Sequence, residues 1–332
     1  MAQIAANNTG VNELKKLVAN YSLETVHAYM GFIQDNAEQS VQNVISGLND
    51  GNFSLEIDSG AVIKVAITVN KRDKEATIDF TGTSQQQPSN FNAPDAVTRA
   101  AVLYVFRCLV ADDIPLNAGC MKPLNIIVPE GSMLSPKYPA AVVAGNVETS
   151  QAVTNALFGA LGVLGSSQGT MNNLTFGDDD CQYYETICSG APAGPSFNGA
   201  AAVHTHMTNT RLTDPEILEN RYPVMLDEFS IRRNSGGRGQ WTAGDGTFRR
   251  IRFLKDMECS ILSDHRRVPP FGTSGGDAGE IGRNWLERAN STIEELGGCA
   301  QTKVANGDTI NIRTPTGGGF GSVSHKASED VD

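Results

Sequence analysis

His204 and His206 stand one residue apart in VHTHMTNTRLTDPEILENRYPV, residues 203–224. On a strand over residues 203–207, side chains alternate faces, so both imidazoles would point the same way. Imidazole moves protons near neutral pH and ligates metals. His206 is therefore the candidate proton-transfer group, with His204 beside it. Thr208, Asn209, Thr210 and Arg211 follow, and Asn209 offers an amide to a bound molecule. A solvated strand-to-helix connection is the plain alternative.

Three further stretches could do chemistry. In GNVETSQ, residues 145–151, Asn146 and Thr149 lie where a β-prone run passes through glycine into a helix. Backbone N–H groups at such a helix start can hold an anion or oxyanion; an ordinary capped helix is the alternative. In GSSQGTMNNLTFG, residues 165–177, Asn172 and Asn173 sit among hydroxyls and amides with no charge. That composition suits a small molecule with carbonyl and N–H edges, or a surface turn. Glu185 is the one carboxylate in YYETI, residues 183–187, a candidate general base or metal ligand.

The elements that must position these residues follow from periodicity. Helical spacing marks residues 11–19, 20–48, 94–111 and 150–164, with Ser22 a cap for the second. Alternation marks strands at 53–57, 62–69, 76–80, 124–128 and 183–187, and residues 140–144 are apolar and β-prone. Asp214-Pro215-Glu216 starts a short helix: a cap, then a proline, then an acid. Beyond residue 223, short β-prone runs (224–232, 246–253, 258–262, 309–313) alternate with glycine turns. The expected class is α+β, with mixed helices and strands in the N-terminal two-thirds and a glycine-rich antiparallel β module at the C-terminus. The expected domains are residues 1–222 and 223–321, then a flexible tail over 322–332. The glycine clusters form no phosphate loop, because none reads G-x-x-x-x-G-K-[ST].

Composition bounds the function. With 332 residues and 40% hydrophobic residues the chain can bury a large core. A net charge of -11 argues against nucleic acid and anionic membrane as partners. No apolar run reaches the ~20 residues that span a bilayer, and the N-terminus lacks a secretory pattern. Six cysteines without a C-x-x-C pair point to reduced thiols and a cytoplasmic protein.

Long runs carry a family resemblance: IAANNTGV, FNAPDAVTRAAVLYVFRCLV, AAVVAGNVETSQ, SSQGTMNNLTFG, HTHMTNTRLTDPEILENRYPV and SGGRGQW. Together they resemble the B-type half of the hydantoinase/oxoprolinase family, and the histidine run is most similar to its eukaryotic 5-oxoprolinase branch. The resemblance implies ATP-dependent opening of 5-oxoproline to glutamate in the γ-glutamyl cycle. It implies ATP and Mg bound on a separate A-type, kinase-like half, and homo-oligomers. Met1 falls inside what is continuous sequence in the family. An upstream portion, with the ligands of a possible divalent metal, is therefore expected elsewhere, and the chain alone is expected to be inactive. An N-methylhydantoinase, a carboxylase of acetone or acetophenone, and a non-catalytic binding module are the alternatives.

Overall fold

The computed structural model describes residues 1–323, so the tail expected from residue 322 lies almost wholly outside the described residues. The chain forms two compact units, one of residues 1–48, 69–77 and 106–125, the other of the remainder.

In the first unit, α1 (Ala2–Tyr21) and α2 (Leu23–Gly47) are joined at Ser22, whose Oγ accepts the Thr25 N–H at 3.3 Å. Helix α1 starts earlier than its apolar period indicates. Asn7, Asn8, Thr9 and Gly10 are weak helix formers, and they hid its first half. Helix α2 buries Ala37, Val41 and Ile45, a stripe of every fourth residue. Beside it lies a 3-10 turn, Ala118–Met121. A Cβ on Gly119 would come within 2.0 Å of the Gln34 carbonyl oxygen, so only glycine permits this approach. Lys122 joins Asp35 and Glu38, each at 3.0 Å.

Strands β1 (Gly51–Glu56), β2 (Val62–Asn70), β3 (Glu75–Asp79) and β4 (Leu124–Ile127) follow one another in a single sheet. Helix α3 is Asp95–Leu109 and α4 is Thr149–Leu161. Residues 140–144 are no strand; a 3-10 turn, Val143–Gly145, leads into α4 instead. Then come β5 (Asn173–Gly177), β6 (Gln182–Thr186) and α5 (Pro215–Arg221), followed by β7 (Val224–Ile231), β8 (Thr247–Phe253) and β9 (Met257–Leu262). The last are β10 (Arg283–Glu287), β11 (Ile293–Leu296), β12 (Cys299–Val304) and β13 (Thr309–Arg313). Strands β10 to β12 read poorly in sequence because they are short and carry Arg, Glu and Lys.

These last strands make two antiparallel sheets, β11-β10-β13-β8-β7 and β12-β9-β5-β6. Their facing side chains, among them Phe176, Phe253, Ile261 and Ile310, form one buried core. The architecture is α+β with antiparallel sheets towards the C-terminus, as expected. The expected boundary at 222/223 is crossed, however: β5 pairs with β9, Leu174 opposite Ile261. The polar run before residue 177 contributes a strand, because it supplies the hydrogen-bonding edge that β9 needs.

Glu185 on β6 lies in this sandwich. Its carboxylate takes both arms of Arg249 on β8, Nε at 2.6 Å and Nη2 at 2.8 Å, and the Tyr183 hydroxyl at 2.8 Å. Both partners are buried, so removing one strands a charge in the core. Glu185→Ala or Arg249→Ala is expected to lower stability by about 3–5 kcal/mol, read by chemical denaturation.

Candidate active site

Glu148 stands at the N-cap position of α4 without a side-chain capping bond, and Gln151, Asn155 and Phe158 follow it on one face of the helix at helical spacing. All four are buried. A 13-residue helix thus presents a carboxylate, two amides and an aromatic ring in a row. Such a row stays folded only where neighbouring polar groups meet it.

Near the start of the row, Glu148 Oε1 accepts the Met171 N–H at 3.2 Å and the Asn173 amide at 2.7 Å. Asn173 is fully used: its amide also reaches the Leu262 carbonyl at 2.7 Å, and its oxygen takes the Tyr184 hydroxyl at 2.7 Å. Burial pushes the Glu148 carboxyl well above the usual carboxylate range; nearby Asp264 adds to this, while the Thr170 hydroxyl, Met171 N–H and Arg266 oppose it. Burial thus favours the protonated, neutral form of Glu148.

Residues 263–268, which follow β9, close the cluster. Arg266 donates to Asn172 Oδ1 at 2.8 Å and Asn284 Oδ1 at 3.0 Å, and burial lowers it to about 10. Asp58 holds this loop from the β1–β2 turn: its Oδ1 accepts the N–H groups of Arg267 at 2.9 Å and Val268 at 2.8 Å. Its own N–H donates to Asp264 Oδ1 at 2.8 Å. His265 Nδ1 meets the Val268 carbonyl at 2.7 Å. A Cβ on Gly169 would fall 2.1 Å from His265 Nε2 and 3.3 Å from Asn155 Nδ2. Gly169 thus brings a ring nitrogen and an amide together beside its backbone, at φ +69°, which also favours glycine.

At Phe158 the row meets the histidine pair. His206 packs on the Phe158 and Tyr104 rings and bonds the Tyr104 hydroxyl through Nδ1 at 3.2 Å. Gln151 donates to the Thr205 carbonyl at 3.1 Å and Thr208 Oγ1 at 2.8 Å. Residues 203–207 form no strand: Val203 makes one isolated bridge with Ser189, and His206 has φ 52°. The shared face argued from strand alternation is therefore absent. The short helix and its acidic loop entry take over there, Asp214 Oδ1 capping Glu216 and Ile217. Burial lowers both imidazoles, His206 to about 4, so His206 is neutral at pH 7.

Of the residues singled out in sequence, Asn172 and Asn173 enter the cluster around Glu148, and His206 lies farther along the α4 row. Thr149 is buried, its hydroxyl on the Phe91 carbonyl. Asn146 is exposed, its carbonyl accepting from Ser150 Oγ at 2.7 Å; Asn209 is exposed too. His204 is half-buried with Nδ1 unpartnered. Glu185 is not brought to the row; both its oxygens are engaged by Arg249 in the sandwich core. Sequence reasoning missed Glu148, Gln151, Asn155, Gln168, Asp264, His265 and Arg266. One signal was available: ETSQAVTN places acid and amides at helical spacing among apolar residues.

Several buried atoms of this region have no hydrogen-bond partner: Glu148 Oε2, Gln151 Oε1, Asn155 Nδ2, both ends of Gln168, His206 Nε2 and His265 Nε2. Among the described residues no three His, Cys, Asp or Glu side chains gather as a metal site.

The two titrations act in opposite directions. The unfolded chain protonates His206 near pH ~6.5, the folded chain only at about 4. Its stabilising share is complete above that upper value and is lost as pH falls through the window. Glu148, raised in the fold, contributes fully below the unfolded value of ~4.3 and progressively less as pH rises. His206→Phe is expected to flatten the acid limb of a melting-temperature profile. Glu148→Gln is expected to flatten the fall at higher pH.

A profile of the Hydantoinase B/oxoprolinase family matches residues 1–323. The 5-oxoprolinase 1 of Arabidopsis thaliana is 48% identical over 337 residues, 97% of this chain and 27% of that protein. The 5-oxoprolinase of Dictyostelium discoideum is 43% identical over 329 residues, 96% of this chain and 26% of that protein. The ATP-dependent caprolactamase from Pseudomonas jessenii shares the fold with TM-score 0.82 at 22% identity, over 97% of this chain and 60% of that one. The chain thus spans only a fraction of the length of these relatives, and among the described residues no helix is long and apolar enough to cross a membrane. With a match over nearly its whole length, the chain belongs to the Hydantoinase B/oxoprolinase family.

Proposed function

We propose that this chain is the hydrolytic segment of an ATP-dependent 5-oxoprolinase, which opens the ring of 5-oxo-L-proline to give L-glutamate. The observation that carries this reading is the group of unpartnered polar atoms along α4 and its loops. Left unmet, each would cost about 1–3 kcal/mol, so the cluster is suited to a small polar guest. Relatives that match almost the whole chain bear the 5-oxoprolinase name, and the fold neighbour is named for another lactam.

Ring opening adds a water oxygen to the lactam carbon, breaks the C–N bond and puts a proton on the ring nitrogen. A buried carboxylic acid is suited to the last task, and Glu148 Oε2 is the atom for it. The carboxylate left behind faces the charge of Arg266, which favours its formation. Neutral His206, with Nε2 unpartnered, can accept a proton there, and at pH 7 it is not the imidazolium that would act as an acid. Asn172 and Asn173 hold Arg266 and Glu148 in place. His204, Thr149, Asn146 and Asn209 are left as outer contacts of the same guest. ATP on a kinase-like partner half would phosphorylate the lactam oxygen, so that C–N cleavage leaves an acyl phosphate, which a second water hydrolyses to glutamate and phosphate; no step here is assigned to a metal.

The test uses the full-length enzyme that contains this stretch, assayed for 5-oxoproline-dependent ATP hydrolysis and glutamate release. Glu148→Gln is expected to lower glutamate release by about 10²–10⁴-fold with unfolding unchanged at acid pH. Full activity in that variant would remove Glu148 from the chemistry. A wild type that turns over a hydantoin and not 5-oxoproline would move the substrate assignment within the family. The chain by itself is expected to release no glutamate.

A further inference from the structure

The loop ahead of β5 is pinned on both sides of Gln168. Ser166 N–H donates to the Phe271 carbonyl at 2.8 Å, and Ser167 N–H to Asn155 Oδ1 at 3.1 Å. On the other side, Gly169 N–H donates to Ser167 Oγ at 3.2 Å, and Met171 N–H to Glu148 Oε1. Gln168 itself is completely buried, yet neither Oε1 nor Nε2 has a partner. Because both ends are open, exchanging oxygen and nitrogen leaves the observation unchanged. The ring-opening step derived above uses neither atom.

A primary carboxamide shows an acceptor and a donor side by side on one edge. A lactam in a small ring is locked cis, so its C=O and N–H also share one edge. Two such edges pair through two hydrogen bonds, donor to acceptor each way. An open-chain secondary amide is trans and turns these groups to opposite sides. A lactone or an N-alkylated lactam has no donor to offer, and would leave a buried acceptor of Gln168 unmet. Sites of this kind discriminate far more strongly than apolar pockets do.

We infer that Gln168 is the specificity-determining residue that reads the cis-amide edge of a lactam by paired hydrogen bonds. The inference rests on the lactam substrate proposed above and adds which edge of it is recognised, and by what.

The experiment compares 5-oxoproline with N-methyl-5-oxoproline and with the ring-oxygen lactone of the same skeleton. Each is measured as substrate or competitor of the full-length enzyme. The wild type is expected to favour 5-oxoproline over both analogues by at least about 10²-fold in kcat/KM or inhibition constant. In Gln168→Leu, KM for 5-oxoproline is expected to rise at least about tenfold, with the preference falling to within a few-fold. Its melting temperature without ligand is expected to equal or exceed that of the wild type, because no buried polar end is left unpaired. Undiminished discrimination in Gln168→Leu would overturn the inference. So would equal binding of the N–H and N-methyl compounds by the wild type, a result that needs no variant to fold. A wild type without any 5-oxoproline turnover would instead refute the functional reading.

Discussion

The hydrogen bonds of Glu148 Oε1 are the constraint on which the rest of the site depends. One oxygen takes the N–H of Met171 and the amide of Asn173, so α4, the loop ahead of β5 and β5 itself meet at a single atom. Asn173 passes the connection on to Leu262 at the end of β9, from which the loop bearing Asp264, His265 and Arg266 departs. A protonated carboxyl can bind in this way and still keep its other oxygen for a guest. An ionised one would have to be desolvated at much greater cost.

The same chain uses a second buried carboxylate differently. Glu185 is matched by a guanidinium at bidentate geometry, while Glu148 has only neutral donors within hydrogen-bond reach. The difference separates scaffold from site. A closed ion pair fixes two strands across the core, whereas an unpaired acid keeps its proton available.

Much of the scaffold was legible in the sequence because it follows from period and punctuation. Helix α2 shows its stripe, and Ser22 and Asp214 show their caps. The site was legible only in part. Asn172 and Asn173 stood out as amides in an uncharged run. Glu148 did not, because a carboxylate at a helix start has an ordinary explanation in the helix dipole. Asp264, His265 and Arg266 look like any charged turn, and only the reach of Asp58 across the fold makes them part of the cluster. The histidine pair drew notice for its strand-like spacing. Its backbone instead turns through a left-handed residue at His206, a conformation that nothing in H-x-H foretells.

Asp58 sits in the turn between β1 and β2, the kind of surface connection that ordinarily accepts inserted or deleted residues. Here its carboxylate and its own N–H both engage the 264–268 loop. The length of that hairpin is therefore set by the distance to another part of the chain. A change of one residue in this turn would require a compensating change some two hundred positions away.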